Sequence, residues 1–410
     1  MYDTTMRNLQ SNANKLNVLQ EQIASEKMIN RPSDDPVGFT NALKYRNIIN
    51  ALGQQQINMN DGEIYMTVLE TTHSSMNKIF GRCHDLAVQS ANDTETHEQR
   101  LFTNLEIRQN LEQLVALAQT KHKDGYIFSG KWTDKPPYEI KSAKKDGNLH
   151  PAQYAANASP PFFPFDPDNP IEIQLFDSNY PDPNLKPPNN NPVAQRIIPG
   201  SFELADLVEK SYNEEGTEPD YEIDYVNGTL ILLSDNAKAR FYDDVTGDLK
   251  PPADMPAMSF EYIYRNSIDM SGEIYREIDT GITMQINSNP DSLFGKGGQS
   301  DTDSFKEIIS LMQGLWYNEQ QEIAESIDKV DTARKRNLAE QAVEGARLNR
   351  LAIVFDRNED LTVANTDAVS RIEDVDLADV LSKFSLAEAV YSASLYSASK
   401  LMQQSLMNYL

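Results

Sequence analysis

Residues 25–38 read Ser-Glu-Lys-Met-Ile-Asn-Arg-Pro-Ser-Asp-Asp-Pro-Val-Gly and separate two stretches whose apolar residues recur at helical spacing. Within them, Asp35 is placed to cap a helix and Pro36 to begin it, because a carboxylate accepts the first free amide hydrogens and proline has none to satisfy. Ser33 and Asp34 can hold the preceding turn. Residues 25–38, called the corner below, are therefore predicted to join two helices.

The distribution of proline separates helical from non-helical parts of the chain. Of 21 prolines, Pro32 and Pro36 lie near the start, and all the others fall between Pro136 and Pro290. Because proline breaks a helix interior, both ends of the chain can form long helices and the middle cannot.

Apolar spacing before residue 120 predicts helices that pack on other helices. The first seam alternates steps of three and four residues if the polar Gln20 is counted as a member, and the second and third follow the same rhythm. The seams are Met6, Leu9, Ala13, Leu16 and Ile23; then Tyr65, Leu69, Thr72, Met76, Ile79, Cys83 and Leu86; then Ile107, Leu111, Leu114 and Ala118. Thr96 and Gln99 are spaced as a capping box ahead of the third.

The last part of the chain repeats this pattern. Ser304 and Glu307 are predicted to form another capping box, and three apolar stripes follow. The stripes are Ile323, Ile327 and Val330; Gly345, Leu348, Ala352 and Phe355; and Phe384, Ala387, Tyr391, Ser394, Ala398 and Leu401. The small residues of the last stripe would allow close helix approach.

Residues 131–300 are predicted to form strands and turns. Residues 221–233 alternate in polarity and turn at Asn227-Gly228, a strong hairpin signal, and further alternating runs occupy residues 171–176, 260–264 and 273–286. The predicted fold class is therefore mainly α with a β-rich insert: long N- and C-terminal helices paired in a coiled-coil-like bundle, with the central β-domain looped out.

Composition and charge exclude several classes of function. The 410 residues include 37 Lys and Arg against 62 Asp and Glu, a net charge of -25, which disfavours nucleic-acid binding because that depends on clustered cations. No apolar run reaches about 18 residues and the start lacks the apolar core of a secretory signal peptide, so we predict neither membrane insertion nor Sec-type export. Cys83 is the single cysteine, which excludes an intramolecular disulfide and favours burial in a helix seam.

We expect no catalytic residue, no metal ion and no cofactor, and hence no enzyme. The five histidines are scattered, and no two have the i, i+4 spacing with glutamate that a zinc hydrolase helix uses. No Gly-x-Ser-x-Gly motif occurs either.

Three segments carry a resemblance to a known family. The corner resembles that of the bacterial flagellin superfamily, and residues 31–36, Arg-Pro-Ser-Asp-Asp-Pro, are similar to its hook-associated, or hook-filament junction, family. Residues 125–130, Gly-Tyr-Ile-Phe-Ser-Gly, resemble the family's motif at the end of the N-terminal helices, and residues 395–410 resemble its terminal helix. The resemblance covers roughly residues 1–135 and 300–410 and does not reach the middle.

The resemblance implies a structural axial protein that joins the flagellar hook to the filament. It implies terminal helices in the inner layer of a hollow tube, further helices in an outer layer, and a β-domain that faces the medium. The implied partners are a hook-associated protein on the hook side, flagellin on the filament side, copies of this chain in a ring, and an export chaperone that binds the C-terminal helices. It also implies export from the cytoplasm to the exterior by the flagellar type III apparatus.

On this basis we predict three parts and two sites. The parts are residues 1–35 with 365–410 as terminal axial-core helices, 36–135 with 300–364 as a helical bundle domain, and 136–299 as a β-rich outer domain. The predicted assembly interface comprises Met6, Leu9, Ala13, Leu16, Ile23, Phe384, Tyr391, Ala398, Leu401 and Leu406. The predicted corner motif, which shapes the turn between layers, comprises Arg31, Pro32, Ser33, Asp34, Asp35 and Pro36.

One departure and three alternatives stay open. Where members of the family commonly carry Ser-Gly-Lys, this chain has Ser25-Glu26-Lys27, which leaves the local turn geometry open. The alternatives are a flagellin that forms the filament itself, an unrelated coiled-coil scaffold, and an axial protein whose outer domain has a hydrolytic or binding site.

Overall fold

The computed structural model describes residues 2–143, 171–174, 195–204, 209–210, 219–226, 229–241, 258–265, 272–288, 290–294 and 303–407. Long helices occupy both ends and short strands form small sheets between them, which confirms the predicted fold class. The described helices are α1 (Tyr2–Ser25), α2 (Pro36–Ser90), α3 (His97–Ala118), α4 (Asp235–Phe241), α5 (Pro290–Phe294), α6 (Ser304–Trp316), α7 (Gln320–Glu373) and α8 (Leu377–Met407).

The strands pair as small sheets. The described strands are β1 (Lys121–His122), β2 (Gly125–Tyr126), β3 (Tyr138–Ala143), β4 (Ile171–Gln174), β5 (Gln195–Ile197), β6 (Glu203–Leu204), β7 (Tyr221–Asp224), β8 (Thr229–Leu232), β9 (Met258–Arg265), β10 (Tyr275–Asp279) and β11 (Ile282–Gln285). β9 lies between β3 and β5 and also pairs with β6, while β8 lies between β4 and β7. β1 pairs with β2, and β10 with β11.

The chain divides into two compact units. The first unit comprises Met1–Asn60, Glu277–Ile282 and Leu351–Leu410, and the second unit comprises Asp61–Arg276 and Thr283–Arg350. The first unit therefore holds α1, α8 and the adjoining parts of α2 and α7. The division into three parts made from the sequence stays a prediction.

The core of the second unit is built from the predicted seams. On α2 the buried positions include Leu69, Thr72, Met76, Ile79, Cys83 and Leu86, with Tyr65 packed against them, and on α3 they include Ile107, Leu111, Leu114 and Ala118. Both seams are thereby confirmed, since each α-helical turn places one member on the buried side. Cys83 lies in the core, as predicted, and its burial raises the pKa of the thiol to about 12.

One of the two predicted capping boxes is present, and the other is wrong. The Thr96 hydroxyl accepts from the amide of Gln99, whose side chain in turn accepts from the amide of Thr96, ahead of α3. At α6 the cap is Asp303, whose carboxylate accepts from the two amides that follow Ser304. Glu307 contacts Arg336 instead, with both of its oxygens 2.5 Å from one guanidinium nitrogen.

The predicted strands are present where the structure describes them. β7 and β8 form the predicted antiparallel hairpin with Asp224 opposite Thr229, although Asn227 and Gly228 lie outside the described residues. β4 covers the first four residues of the run that was predicted to reach Phe176, which also lies outside them. Between β10 and β11, Gly281 takes a φ of 72° in the turn.

Candidate assembly site: the paired terminal helices and the corner

Within the first unit, α1 and α8 pack side by side. The side-chain amide of Asn12 donates to the hydroxyl of Ser394 at 3.0 Å, and the amide of Val375, just before α8, donates to the carbonyl of Glu26 at 3.1 Å, just after α1. Moving along the chain from Asn12 to Glu26, the contact partner moves back from Ser394 to Val375. The two helices therefore run antiparallel.

A single regular stripe of α8 is turned away from solvent. Its members recur at steps of four and three residues, the repeat of a coiled-coil seam. Among the α8 side chains that the structure describes, the buried or half-buried ones are Val380, Phe384, Ala387, Tyr391, Ser394 and Ala398. The side chains of Leu401 and Leu406 lie outside the described part of the chain.

The facing positions on α1 differ from the predicted seam at two places. The half-buried positions include Leu9, Asn12, Ala13, Leu16, Leu19, Gln22 and Ile23. Gln20 is exposed, so its place in the predicted seam is wrong, and Leu19 lies there instead. The prediction missed Leu19 because a strict alternation of three and four residues steps over it, although it lies three residues after Leu16. Met6 is 46% exposed in the single chain.

α8 also carries large apolar side chains outside its seam. Leu386 is 68% exposed and Tyr396 is 64% exposed, and Leu381, Val390 and Leu395 are exposed as well. With 3.6 residues per turn, these five side chains are spread around the sides of α8 outside its seam, and α1 does not cover them. Helix α8 therefore offers apolar surface both to α1 and to a further partner.

The cap and the start of α2 in the corner are as predicted. The Asp35 carboxylate accepts from the amide of Val37 at 3.0 Å, and Pro36 is the first residue of the helix. Asp34 holds the preceding turn, since one of its oxygens accepts from the amides of Asn30 at 3.1 Å and Arg31 at 2.8 Å. The turn is therefore closed by carboxylates on successive residues.

The exposed part of the corner motif projects from this turn. Arg31, Pro32 and Ser33 are all exposed. The guanidinium of Arg31 donates to both carboxylate oxygens of Glu21 on α1, each at 3.0 Å. This ion pair joins the turn back to the helix that precedes it, while Pro32 and Ser33 stay available for contacts with other molecules.

Gly38 is required by close packing inside the corner. A Cβ atom at this position would lie 2.4 Å from an oxygen of Asp35 and 2.7 Å from the δ-carbon of Ile29. Ile29 is buried and Asp35 is the helix cap, so an added Cβ would have to displace two side chains that hold the corner. Glycine fits the first turn of α2 without moving either of them.

A short antiparallel bridge ties the corner to the α7–α8 connection, within the first unit. Lys27 pairs with Asp374 across the bridge, and the amide of Met28 donates to the carbonyl of Glu373 at 2.6 Å. The side chain of Glu373 is 4% exposed and contacts Lys27 at 3.4 Å and also Arg46 of α2. One buried carboxylate thus holds cations from two segments.

The departure at Glu26 is resolved by its backbone conformation. Glu26 follows the last residue of α1 and takes a φ of 57°, the left-handed region that glycine occupies without a Cβ penalty. The turn therefore has the geometry that a glycine would favour, although a glutamate occupies it. Its carbonyl accepts the bridge hydrogen bond from Val375.

The Gly125–Gly130 segment is an anchor inside the second unit. Ile127, Phe128 and Ser129 are fully buried, and the carbonyl of Ile127 accepts from the hydroxyl of Tyr65 at 3.1 Å. A Cβ at Gly125 would lie 2.8 Å from the side chain of Thr133, so this turn also requires glycine.

The described residues contain no further sign of a chemical site. Within them, no group of three or more His, Cys, Asp and Glu side chains is placed to hold a metal ion. No helix among them is long and apolar enough to cross a membrane. The arrangement described above consists of two paired helices and a turn held by hydrogen bonds and an ion pair.

The chain matches one family model, that of the bacterial flagellin N-terminal helical region, over residues 1–133. It is 32% identical over 123 residues to a flagellin of Clostridium tyrobutyricum, a match that covers 29% of this chain and 32% of that protein. It is 31% identical over 114 residues to a flagellin of Halalkalibacterium halodurans, covering 28% of this chain and 42% of that one. The matched part thus spans about a third to two fifths of these relatives.

Two solved structures are similar to the chain over most of its length. A protein of Vibrio parahaemolyticus described as a flagellar hook-associated protein is 12% identical, with 83% of this chain and 100% of that one covered and a TM-score of 0.48. FlgL of Bacillus cereus is 12% identical, with coverage of 80% and 98% and a TM-score of 0.42.

The matched residues include α1, the corner, α2, α3 and the Gly125–Gly130 segment. Residues 1–133 therefore have the sequence features of the bacterial flagellin N-terminal helical region, and they contain both the corner and the helix that pairs with α8.

Proposed function

We propose that the chain is a structural, non-enzymatic axial protein of the bacterial flagellum, and that within it the chain is a hook-filament junction protein on which flagellin polymerises. The observation that carries the proposal is the family match over residues 1–133. That match takes in the corner and the helix that pairs with α8, the parts from which an axial contact would be built.

The geometry of the first unit supports a role in assembly. α8 packs one face on α1 and leaves Leu386, Tyr396 and neighbouring apolar side chains exposed. A pair of helices with exposed apolar side chains outside their shared seam gains free energy when those side chains pack on further helices. The gain is roughly 25 cal/mol for each Å² of apolar surface that is buried. Neighbouring copies in a ring supply such helices.

The partners follow from the place of a junction protein in the flagellum. We propose an adjacent hook-associated protein on the hook side, flagellin on the filament side, and copies of this chain in a ring. We further propose export through the flagellar type III apparatus, with a chaperone that covers the C-terminal helices in the cytoplasm. The exposed apolar side chains of α8, such as Leu386 and Tyr396, are the ones that such a chaperone would cover.

Two motifs favour a junction protein over a filament subunit. The Arg31–Pro36 sequence and the Gly125–Gly130 sequence both resemble the hook-associated family. In the structure the first forms the exposed turn and the cap of α2, and the second forms a buried anchor.

The second candidate is a flagellin that builds the filament itself. It is favoured by the curated relatives, several of which are flagellins or flagellar filament core proteins, such as the 41 kDa core protein of Borreliella burgdorferi, 29% identical over 154 residues, covering 37% of this chain and 45% of that protein. The scaffold and the axial protein with a hydrolytic outer domain lack a comparable observation.

Deletion of the gene distinguishes these candidates. We expect cells that lack it to keep intact hooks, seen by electron microscopy, and to shed unpolymerised flagellin into the medium. A plasmid-borne copy of the gene should restore filaments, which controls for effects on neighbouring genes.

The other outcomes are equally informative. Intact hooks without any flagellin-sized protein, in cells or medium, would identify the chain as the filament subunit. Normal filaments in the deletion strain would overturn both candidates and favour the hypothesis of an unrelated coiled-coil scaffold.

A further inference from the structure

Three polar side chains are completely enclosed between α2 and α7 in the second unit. His73 of α2 and Asn337 of α7 are both 0% exposed, and Glu344 of α7 is 1% exposed. The imidazole ring also packs edge-on against the ring of Phe128, with centroids 5.5 Å apart, which closes that side to water. A buried group of this kind persists only when its hydrogen bonds are satisfied.

The orientation of Asn337 fixes a hydrogen on one ring nitrogen. The amide nitrogen of Asn337 donates to the backbone carbonyl of His73 at 2.8 Å. Its amide oxygen therefore faces Nδ1 of His73, 2.6 Å away. Because a carbonyl oxygen can only accept, Nδ1 of His73 must carry a hydrogen.

The other ring nitrogen meets a carboxylate. Nε2 of His73 lies 3.3 Å from Oε1 of Glu344. If the ring were neutral, its single hydrogen would be on Nδ1, and the lone pair of Nε2 would face the lone pairs of an ionised carboxylate. A proton on Nε2 turns this repulsion into the attraction of an ion pair.

The surrounding charges act in the same direction. Burial alone lowers the pKa of His73, but the adjacent carboxylate of Glu344 outweighs this effect, and Asn337 and Glu340 add to it, so the pKa lies above its ordinary value. Facing Glu344 from α2 is Tyr65, whose own pKa is raised, chiefly by burial and then by the charge of Glu344.

We propose that His73 is a buried imidazolium paired with Glu344 at neutral pH, and that loss of its proton in alkaline solution weakens the contact between α2 and α7 in the second unit. In the unfolded chain the same histidine releases its proton near pH 6.5, approximately the ordinary value. Folding therefore takes up a proton above that pH. The stability that the pair contributes is fully present below about pH 6.5 and is lost as the pH rises through the higher pKa of the folded pair.

Ring-nitrogen NMR of the full chain tests the protonation state directly. With histidine labelled with ¹⁵N, we expect both nitrogens of His73 to carry protons at pH 7.5, while the half-exposed His84 and His122 of the same molecule serve as internal references. The His73 signals are identified by their absence from a His73→Gln sample. A neutral His73 ring at pH 7 would overturn the proposal, and this measurement on the wild-type chain needs no other variant.

Glu344→Gln provides the matched thermodynamic test. The new amide can donate to Nε2, so a neutral His73 is satisfied at every pH without the extra proton. Relative to this variant, the folding equilibrium constant of the wild type should fall by up to about tenfold per pH unit above pH 6.5. Glu340→Gln, on the same helix without contact to the ring, should follow the wild-type profile with a small shift. Parallel profiles for the wild type and Glu344→Gln between pH 6 and pH 9 would contradict the proposal.

Discussion

The side-chain amide of Asn12 donates a hydrogen bond of 3.0 Å to the hydroxyl of Ser394, a residue 382 positions further along the chain. This contact lies within the seam between α1 and α8, among small and apolar side chains such as Ala13 and Ala398. A polar pair inside an apolar seam favours one register of two helices, because a slip leaves the Asn12 amide without this acceptor, although the Ser394 hydroxyl keeps its own bond to the carbonyl of Val390 at 2.7 Å.

The seam makes Leu16 a position at which a charge should prevent assembly. Leu16→Asp places a carboxylate among half-buried apolar side chains, and we expect it to weaken the α1–α8 contact by on the order of 2 kcal/mol and to abolish filament growth. The measurement is complementation of the gene deletion, scored by electron microscopy, with circular dichroism of the purified variant to verify that the second unit stays folded.

Val18→Asp is the matched control for this variant. Val18 lies on the same helix but is 51% exposed, so the same charge there should leave the α1–α8 contact intact. Full-length filaments from the Leu16→Asp strain would show that this seam is not needed for assembly.

Gly38 and Gly53, both in α2 of the first unit, are expected to respond in opposite directions to alanine. At Gly38 the added Cβ would lie 2.4 Å from Asp35 and 2.7 Å from Ile29, so Gly38→Ala should destabilise the corner by about 1–3 kcal/mol. At Gly53 no atom lies within 4 Å of the new Cβ, so Gly53→Ala should stabilise the helix by roughly 0.5–1 kcal/mol.

Hydrogen exchange, read by mass spectrometry on peptides from residues 26–60, distinguishes these two effects. Faster exchange in Gly38→Ala together with slower exchange in Gly53→Ala is the expected pair of results. Slower exchange in both would mean that the corner accommodates a side chain at residue 38.

The left-handed backbone of Glu26 predicts a stabilising substitution. Glu26→Gly removes a Cβ from a residue with a φ of 57°, and we expect a gain of roughly 0.5–1 kcal/mol after the greater freedom of the unfolded chain is counted. Exchange of the bridge amides of Met28 and Val375 should slow by about two- to fivefold.

Glu26→Ala separates the backbone effect from the loss of charge. Alanine keeps the Cβ and so keeps the conformational cost, while it removes the exposed carboxylate. If Glu26→Ala slowed exchange as much as Glu26→Gly, the gain would come from charge and not from φ.

What could be predicted from the sequence depended on local signals. The seams of α2 and α3 and the cap at Asp35 rest on spacing or on neighbouring residues, and the structure confirms them. The stripe predicted at Gly345, Leu348, Ala352 and Phe355 is wrong at Ala352, which is exposed while the adjacent Leu351 is buried. The cap of α6 was assigned one residue too late, because Asp303 and Ser304 are both good capping residues and the spacing to Glu307 favoured the serine. Glu373 could not be found, since its partner Lys27 lies 346 positions away and no local pattern links them.

The stability of the second unit should depend on the protonation of Glu322 on α7. Burial, together with the nearby negative charge of Glu319, raises the pKa of Glu322 to about 7. A carboxyl whose pKa is raised on folding contributes stability that is present below the pKa of about 4.5 in the unfolded chain and is lost as the pH rises through about 7. The wild type should therefore lose stability over that range.

Glu322→Gln mimics the protonated side chain at every pH and should remove this loss. At pH 8 we expect its Tm to exceed that of the wild type by about 2 °C, a change of under about 1 kcal/mol once solvent screening of this partly exposed group is allowed for. At pH 4 the two proteins should unfold at the same temperature. Tryptophan fluorescence reports the transition, because both tryptophans, Trp132 and Trp316, lie in the second unit. The control is Glu325→Gln, at an exposed position one turn away, which should leave the Tm unchanged at both pH 4 and pH 8. If Glu325→Gln raised the Tm at pH 8 as much as Glu322→Gln does, the effect would come from overall charge and not from the buried position of Glu322.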